Sequence, residues 1–89
     1  MDAEYTFKLY VSGERLGSQR AKTALTDLFN NALKNGYHME VIDIQKYPEK
    51  ADEDGIIVIP TLIRVSPAPE KRFIGDFSDN TKLLSALTI

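Results

Sequence analysis

The chain has 89 residues, which is enough for one domain and too few for two, so we expect a single domain over residues 1–89. Its hydrophobic fraction of 43% and charged fraction of 27% are typical of a globular protein and argue against disordered, fibrous and membrane classes. The net charge of -2 gives no general attraction for nucleic acid or anionic lipid, so neither is an expected partner.

The sequence contains no cysteine, which excludes disulfide bonds, thiolate metal ligands and thiol-based catalysis. The N-terminal residues Met1 to Glu4 are acidic and lack the basic and apolar regions of a signal peptide. No apolar run approaches the roughly 20 residues that a membrane-spanning helix needs. We therefore expect a cytoplasmic protein without membrane association.

The first half of the chain predicts a βαβ unit. Residues 5–11 alternate in polarity as a strand does, and a glycine-containing loop follows, after which Ser18 is placed to cap a helix. The apolar positions of this helix fall on one face, and they are Ala21, Leu25, Leu28, Phe29, Ala32 and Leu33. Asn35-Gly36 provides a left-handed stop, and the β-branched stretch Met39 to Ile44 predicts a second, parallel strand.

The second half predicts a short helix, a hairpin and a last helix. Pro48 suits the first turn of a helix from Pro48 to Asp54, and Pro60, which cannot donate in a central ladder, should sit at the start of a strand. The turn-forming residues 66–71 then allow residues 72–74 to return as an antiparallel fourth strand. A cap at Ser78 or Asp79 precedes a terminal helix whose core-facing residues are Leu83, Leu84 and Leu87.

The predicted order βαβαββα is that of a thioredoxin-like α/β domain with a mixed four-stranded sheet. The Ile59-Pro60-Thr61 step stands where that fold places a cis-proline, an assignment that depends on fold analogy. A redox thioredoxin needs a cysteine in the loop after the first strand, and the loop from Ser12 to Ser18 has none. A serine hydroxyl has no strong base nearby to activate it. We therefore predict a protein that is not an enzyme.

Three further groups of polar residues have alternative interpretations. His38, the only histidine, is interpreted as a polar residue at a strand edge in preference to a metal ligand or general base. The acidic run 52–54 is interpreted as a solvated helix end, because consecutive helical positions point in different directions. Arg15, Arg20 and Lys22 are positioned to hold an anion near a helix N-terminus, but ordinary solvated charge is the favoured interpretation. We expect no catalytic residue, no metal and no cofactor.

The chain contains, in this order, the stretches Lys8–Gly13, Val41–Ile44, Pro60–Leu62 and Arg72–Ser78. In sequence and in order, these four stretches resemble the KaiB family of circadian-clock proteins. The resemblance implies docking on the N-terminal ring of a KaiC-type ATPase hexamer, regulation of its phosphorylation cycle and help in sequestering KaiA. It also implies a metamorphic protein, in which a resting, usually tetrameric βαββααβ form refolds its C-terminal half into the thioredoxin-like monomer that binds. We expect the thioredoxin-like form to dominate.

The resemblance also implies which residues meet a partner. The partner-binding residues carried over by position are Arg20, Asp43, Lys46, Pro60, Arg64 and Arg72, and the fold-switch region includes Gly75, Asp76 and Ser78. The expected interface comprises the second strand, the short second helix and the approach to Pro60.

Two features depart from the clock-type pattern. Glu40 stands where clock-type members have a lysine, and the chain ends at Ile89 without their longer acidic tail, which should favour the thioredoxin-like form. The alternative functions are a docking module for a SasA- or CikA-type histidine kinase and a thioredoxin-like domain that binds a small molecule.

Overall fold

The computed structural model describes residues 5–13, 15–34, 36–75 and 77. The elements in this part of the chain are β1 (Tyr5–Val11), α1 (Leu16–Ala32), β2 (Tyr37–Asp43), α2 (Pro48–Glu53), β3 (Thr61–Ser66) and β4 (Lys71–Ile74). Their order is the predicted one. The predicted terminal helix with Leu83, Leu84 and Leu87 lies outside the described residues.

The four strands form one mixed sheet in the order β2-β1-β3-β4. β1 and β2 are parallel, with Tyr5 opposite Tyr37 and Val11 opposite Asp43. β3 runs antiparallel to both β1 and β4. The α1 crossover between parallel strands and the β3–β4 hairpin confirm the predicted thioredoxin-like architecture. In this sheet β2 and β4 are the two edge strands.

One face of the sheet packs against α1. The Phe7 and Leu9 side chains project from β1 to this face and are fully buried. The ring of Phe7 stacks on that of Phe29, with 4.3 Å between the ring centroids. The helical periodicity is confirmed for the fully buried residues Ala21, Leu25 and Phe29. Ala32, which was expected on the same face, is the last residue of the helix and is exposed.

The opposite face of the sheet is covered by α2. Its apolar cluster consists of Tyr10, Ile42 and Ile63 from three neighbouring strands, with Ala51 of α2 packed against them. Alternate residues of β1 therefore belong to two separate apolar clusters, because neighbouring side chains of a strand point to opposite faces. The sheet is the shared middle layer between the two helices.

Several boundaries differ from the prediction, including the end of β2 at Asp43 and not Ile44 and the start of β4 at Lys71 and not Arg72. α1 begins at Leu16 with Arg15 at the N-cap position, so Ser18 is not the cap; it lies buried in the first turn, where its hydroxyl accepts the Ser12 N–H at 3.1 Å. β2 begins at Tyr37 and not at Met39, because the Tyr37 ring packs edge-on against buried side chains of the first face. α2 ends at Glu53, one residue before the predicted end.

The approach to β3 follows the fold analogy. The Ile59–Pro60 peptide bond is cis, and Pro60 directly precedes the first residue of β3. The Pro60 carbonyl accepts the Gly75 N–H at 3.3 Å, which joins this segment to the end of β4. Gly75 has a φ of 132°, in the region that favours glycine.

Candidate protein-binding surface

The Asp43 carboxylate joins the two loops at the carboxyl ends of β1 and β2. Its Oδ1 accepts the backbone N–H of Gly13 at 3.2 Å and that of Gln45 at 2.9 Å. The Gln45 side-chain amide in turn donates to the Ser12 hydroxyl at 3.3 Å. Gly13 has a φ of 51°, and a Cβ atom there would lie 2.8 Å from Gln45 Oε1, so a side chain at this position is disfavoured twice. Asp43 therefore fixes the entry to the β2–α2 loop.

Tyr10 anchors α2 to the sheet. Its single O–H proton is shared between the Asp54 carboxylate and the Lys50 carbonyl, whose oxygen lies 3.1 Å from the hydroxyl oxygen. Lys8 Nζ lies 3.3 Å from Asp54 Oδ2 on the same side of the sheet. Burial, followed by the contact with Asp54, raises the pKa of the Tyr10 phenol. The hydrogen bond from Tyr10, and to a lesser degree Lys8, lowers the pKa of Asp54.

The lowered pKa of Asp54 predicts a specific response to acid. Because the carboxyl has a lower pKa in the folded chain than its ordinary 3.8, its contribution to stability is present above that value and is lost as the pH falls through the folded pKa. We expect the free energy of unfolding to fall less steeply in Asp54→Asn than in the parent between about pH 5 and about pH 2. Urea titrations at several pH values measure it. The exposed Asp52→Asn is the control, and parallel profiles for all three chains would contradict the prediction.

Glu40 and Lys50 connect the edge strand β2 with α2. Lys50 Nζ lies 3.3 Å from Glu40 Oε2, and both side chains are nearly half exposed. The same ammonium group lies 5.3 Å from the centroid of the Tyr47 ring. An exposed ion pair contributes roughly 0–1 kcal/mol, so this contact sets the charge pattern of the surface more than it holds the fold. The acidic departure at position 40 thus has a basic partner within the chain.

The predicted partner-binding residues do not share one surface. Lys46 is exposed in the loop between β2 and α2, beside Tyr47, and Pro60 is partly buried before β3. Arg20 is exposed on α1, across the sheet from α2, whereas Arg72 is exposed on β4 and lies near enough to Asp54 to lower the pKa of that carboxyl. The structure therefore brings Asp43, the last residue of β2, close to Lys46 in the following loop and does not gather the whole set.

Arg64 is buried, which corrects the expectation of an accessible charge at this position. Its exposed fraction is 0%, and its Nη2 donates to the Pro69 carbonyl at 2.8 Å. Residues two apart in a strand share a face, so Arg64 lies on the same face as Leu62, which is a core residue. The two-residue spacing from the core residue Leu62 was the feature of the sequence that could have predicted the burial of Arg64. Arg64 supports the connection between β3 and β4 from inside.

The fold-switch region is described only in part. Gly75 lies at the end of β4, and Phe77 is buried with a φ of 62°. Asp76 and Ser78 lie outside the described residues. Over the described ranges, no three histidine, cysteine, aspartate or glutamate side chains are grouped to hold a metal ion. In the same ranges, no helix has the length and apolar character needed to cross a membrane.

Solved structures share the fold of this chain at low sequence identity. The N-terminal domain of SasA from Synechococcus elongatus matches with a TM-score of 0.78 and 18% identity, over 98% of this chain and 81% of that one. Mitochondrial thioredoxin 3 from Saccharomyces cerevisiae matches with a TM-score of 0.73 and 16% identity, over 92% of this chain and 74% of that one. Identities this low establish the thioredoxin-like fold alone.

The sequence comparisons are more specific. The circadian clock oscillator protein KaiB of Prochlorococcus marinus strain MIT 9312 is 42% identical over 85 residues, which are 96% of this chain and 81% of that protein. The KaiB of strain MIT 9303 is 41% identical over 85 residues, or 96% of this chain and 71% of that protein. The model of the KaiB domain matches residues 8–89. The chain therefore belongs to the KaiB family, the family of these circadian-clock proteins.

Proposed function

We propose that this chain is a non-catalytic docking module for the N-terminal ring of a KaiC-type ATPase hexamer in the cytoplasm. By docking there it regulates the phosphorylation cycle of the ATPase and helps to sequester KaiA. Family membership supports this function. The thioredoxin-like fold supports it as well, because the family resemblance implies that this form is the one that binds. The observation that carries the proposal is the surface made by the β2 edge, the β2–α2 loop and α2, held in place by Asp43 and Tyr10.

The chemistry of this surface suits a protein partner. Val41 on β2 and Tyr47 before α2 are large apolar side chains that remain more than two-fifths exposed, at 42% and 47%. Lys46 and the Glu40–Lys50 pair surround them with charge. A partly exposed aromatic group with a charged rim is the usual composition of a protein interface. By contrast, a thiol–disulfide reaction has no sulfur nucleophile in this chain.

The proposal includes a change of fold that controls binding. In it the binding form is a monomer, and the resting form is a tetramer in which residues 58–65 are helical. The described structure has strand β3 over Thr61–Ser66. Backbone chemical shifts together with the mass in solution distinguish the two forms, because strand and helix shift the Cα resonances in opposite directions.

Lys46→Ala tests the docking surface. Because Lys46 is an exposed rim charge, we expect its removal to slow association with an immobilised KaiC-type ring about threefold to tenfold at low salt. The difference should shrink at high salt, where exposed charges are screened. Biolayer interferometry at two salt concentrations measures both effects.

Lys34→Ala is the matched control, since Lys34 is an exposed lysine just beyond the C-terminal end of α1. We expect it to bind as the parent does. Equal slowing in both variants would show a general charge effect and not a docking site. If the parent chain binds no such ring in its thioredoxin-like form, the proposed function is wrong.

A further inference from the structure

Exposed aliphatic side chains gather at a second place, between β4 and the segment before Pro60. Ile57, Val58 and Ile74 are 94%, 46% and 61% exposed. They line a groove of about 240 Å³ whose other side chains include those of Ile56, Thr61 and Arg72. Isolated exposed apolar residues are ordinary, but several that share one concave surface indicate a binding site.

The base of this groove belongs to the sheet. Thr61 and Ile74 are directly opposed in the β3–β4 ladder, and the Gly75 N–H bonds to the Pro60 carbonyl at 3.3 Å. The Thr61 hydroxyl also donates to the Val58 carbonyl, which ties the segment before Pro60 to the start of β3. The groove is therefore formed by connected backbone and does not depend on a single side chain.

Arg72 gives the groove a positive charge and, among the described residues, is the only charged one that lines it. Its Nε lies 3.4 Å from Glu70 Oε2, and both side chains are about half exposed. Such a pair is weak, so a carboxylate from a partner can replace Glu70 at little cost. Asp54, another nearby carboxylate, is already held by Tyr10 and Lys8. The guanidinium carries five N–H donors that suit a second carboxylate.

We propose that this groove binds a segment of a partner protein in which an aliphatic side chain stands next to an aspartate or glutamate. The aliphatic group lies between Ile57, Val58 and Ile74, and the neighbouring carboxylate pairs with Arg72. The volume is sufficient, because a cavity of about 150 Å³ already holds a benzene molecule. A basic neighbour would instead bring two positive charges together. The groove includes Arg72 and the approach to Pro60, which are expected at the interface with the ATPase ring, so the inference rests on the proposed function; its test uses no ring and can fail separately.

The probe is the capped peptide Ser-Asp-Leu-Ser, added to the full chain labelled with ¹³C and ¹⁵N. We expect saturable shifts of the methyl resonances of Ile57 and Ile74. Two comparison peptides replace the aspartate with lysine or the leucine with serine, and each should bind about tenfold more weakly, which corresponds to a single lost contact of ordinary strength. The absence of methyl shifts, or equal shifts with all three peptides, would overturn the proposal.

Two variants locate the binding. Ile57→Ser removes an almost fully exposed side chain, so it should fold as the parent does while binding the peptide about tenfold or more weakly. Arg72→Gln should lose the preference for aspartate over lysine. Val65→Ser is the control, since Val65 is exposed on β3 and does not line the groove. Self-association that Ile57→Ser abolishes, without any peptide response, would assign the groove to a second copy and refute the proposal.

Discussion

Replacing Phe7 with alanine is expected to lower the free energy of unfolding by about 3–5 kcal/mol. Phe7 is fully buried at the centre of β1, and its ring centroid lies 4.3 Å from that of Phe29 and 6.5 Å from that of Tyr37. Truncation removes these contacts and opens a cavity between the sheet and α1. Domains of this kind have about 5–15 kcal/mol of stability, so the variant should lie close to unfolding. Urea denaturation followed by circular dichroism measures the loss.

The control for Phe7 is Ile57→Ala, since Ile57 is 94% exposed and its truncation should change the free energy of unfolding by less than about 0.5 kcal/mol. The two variants together compare an apolar side chain in the core with one on the surface. A loss below about 1 kcal/mol in Phe7→Ala would mean that β1 does not form the centre of the core in solution.

Arg64→Ala is expected to destabilise the fold by about 2–5 kcal/mol, as truncation of a buried long side chain does. The buried stem of Arg64 packs within the sheet, and its Nη2 is bonded to the Pro69 carbonyl at 2.8 Å. Alanine removes that packing and leaves the carbonyl without this donor. Urea denaturation measures the loss, and amide shifts of residues 66–70 should move with it, because the turn loses its internal support.

Arg72→Ala is the control for Arg64, since it removes an exposed arginine from the neighbouring strand. Its stability should stay within about 0.5 kcal/mol of the parent. A result opposite to the one expected for Arg64→Ala would change the interpretation of this position. If Arg64→Ala is as stable as the parent and weakens only the binding of an ATPase ring, position 64 is a surface contact, as the sequence resemblance predicts.

The elements that sequence reasoning placed correctly depend on local pattern. The alternation of 5–11 and the helical spacing of Ala21, Leu25 and Phe29 survive in the structure because each element buries one face. The hairpin follows from turn-forming residues between two short apolar runs. Each of these signals lies within a few residues of the structure that it predicts.

The features that sequence reasoning missed depend on distant contacts. β3 is buried on both faces from Thr61 to Arg64, so its polarity gives no clear indication of which side faces solvent. The bond from Tyr10 to Asp54 spans 44 positions in the chain. Ile57 belongs to an apolar run that suggests burial, and only the path of the chain before Pro60 exposes it. The structure places Lys46 on the surface and Arg64 in the interior, and the partner contacts carried over to both by family position stay predictions.

The attachment of α2 to Tyr10 also bears on the entropy of binding. A helix of six residues is too short to persist by itself in water, because its nucleation is unfavourable and few hydrogen bonds follow. Here the Tyr10 hydroxyl bonds to the Lys50 carbonyl within that helix, so its conformation is fixed by the folding of the sheet. The backbone freedom of this segment is thus already lost before any encounter. A partner that docks on α2 meets a preorganised template, and the ordering cost that slows and weakens association of flexible segments does not arise there.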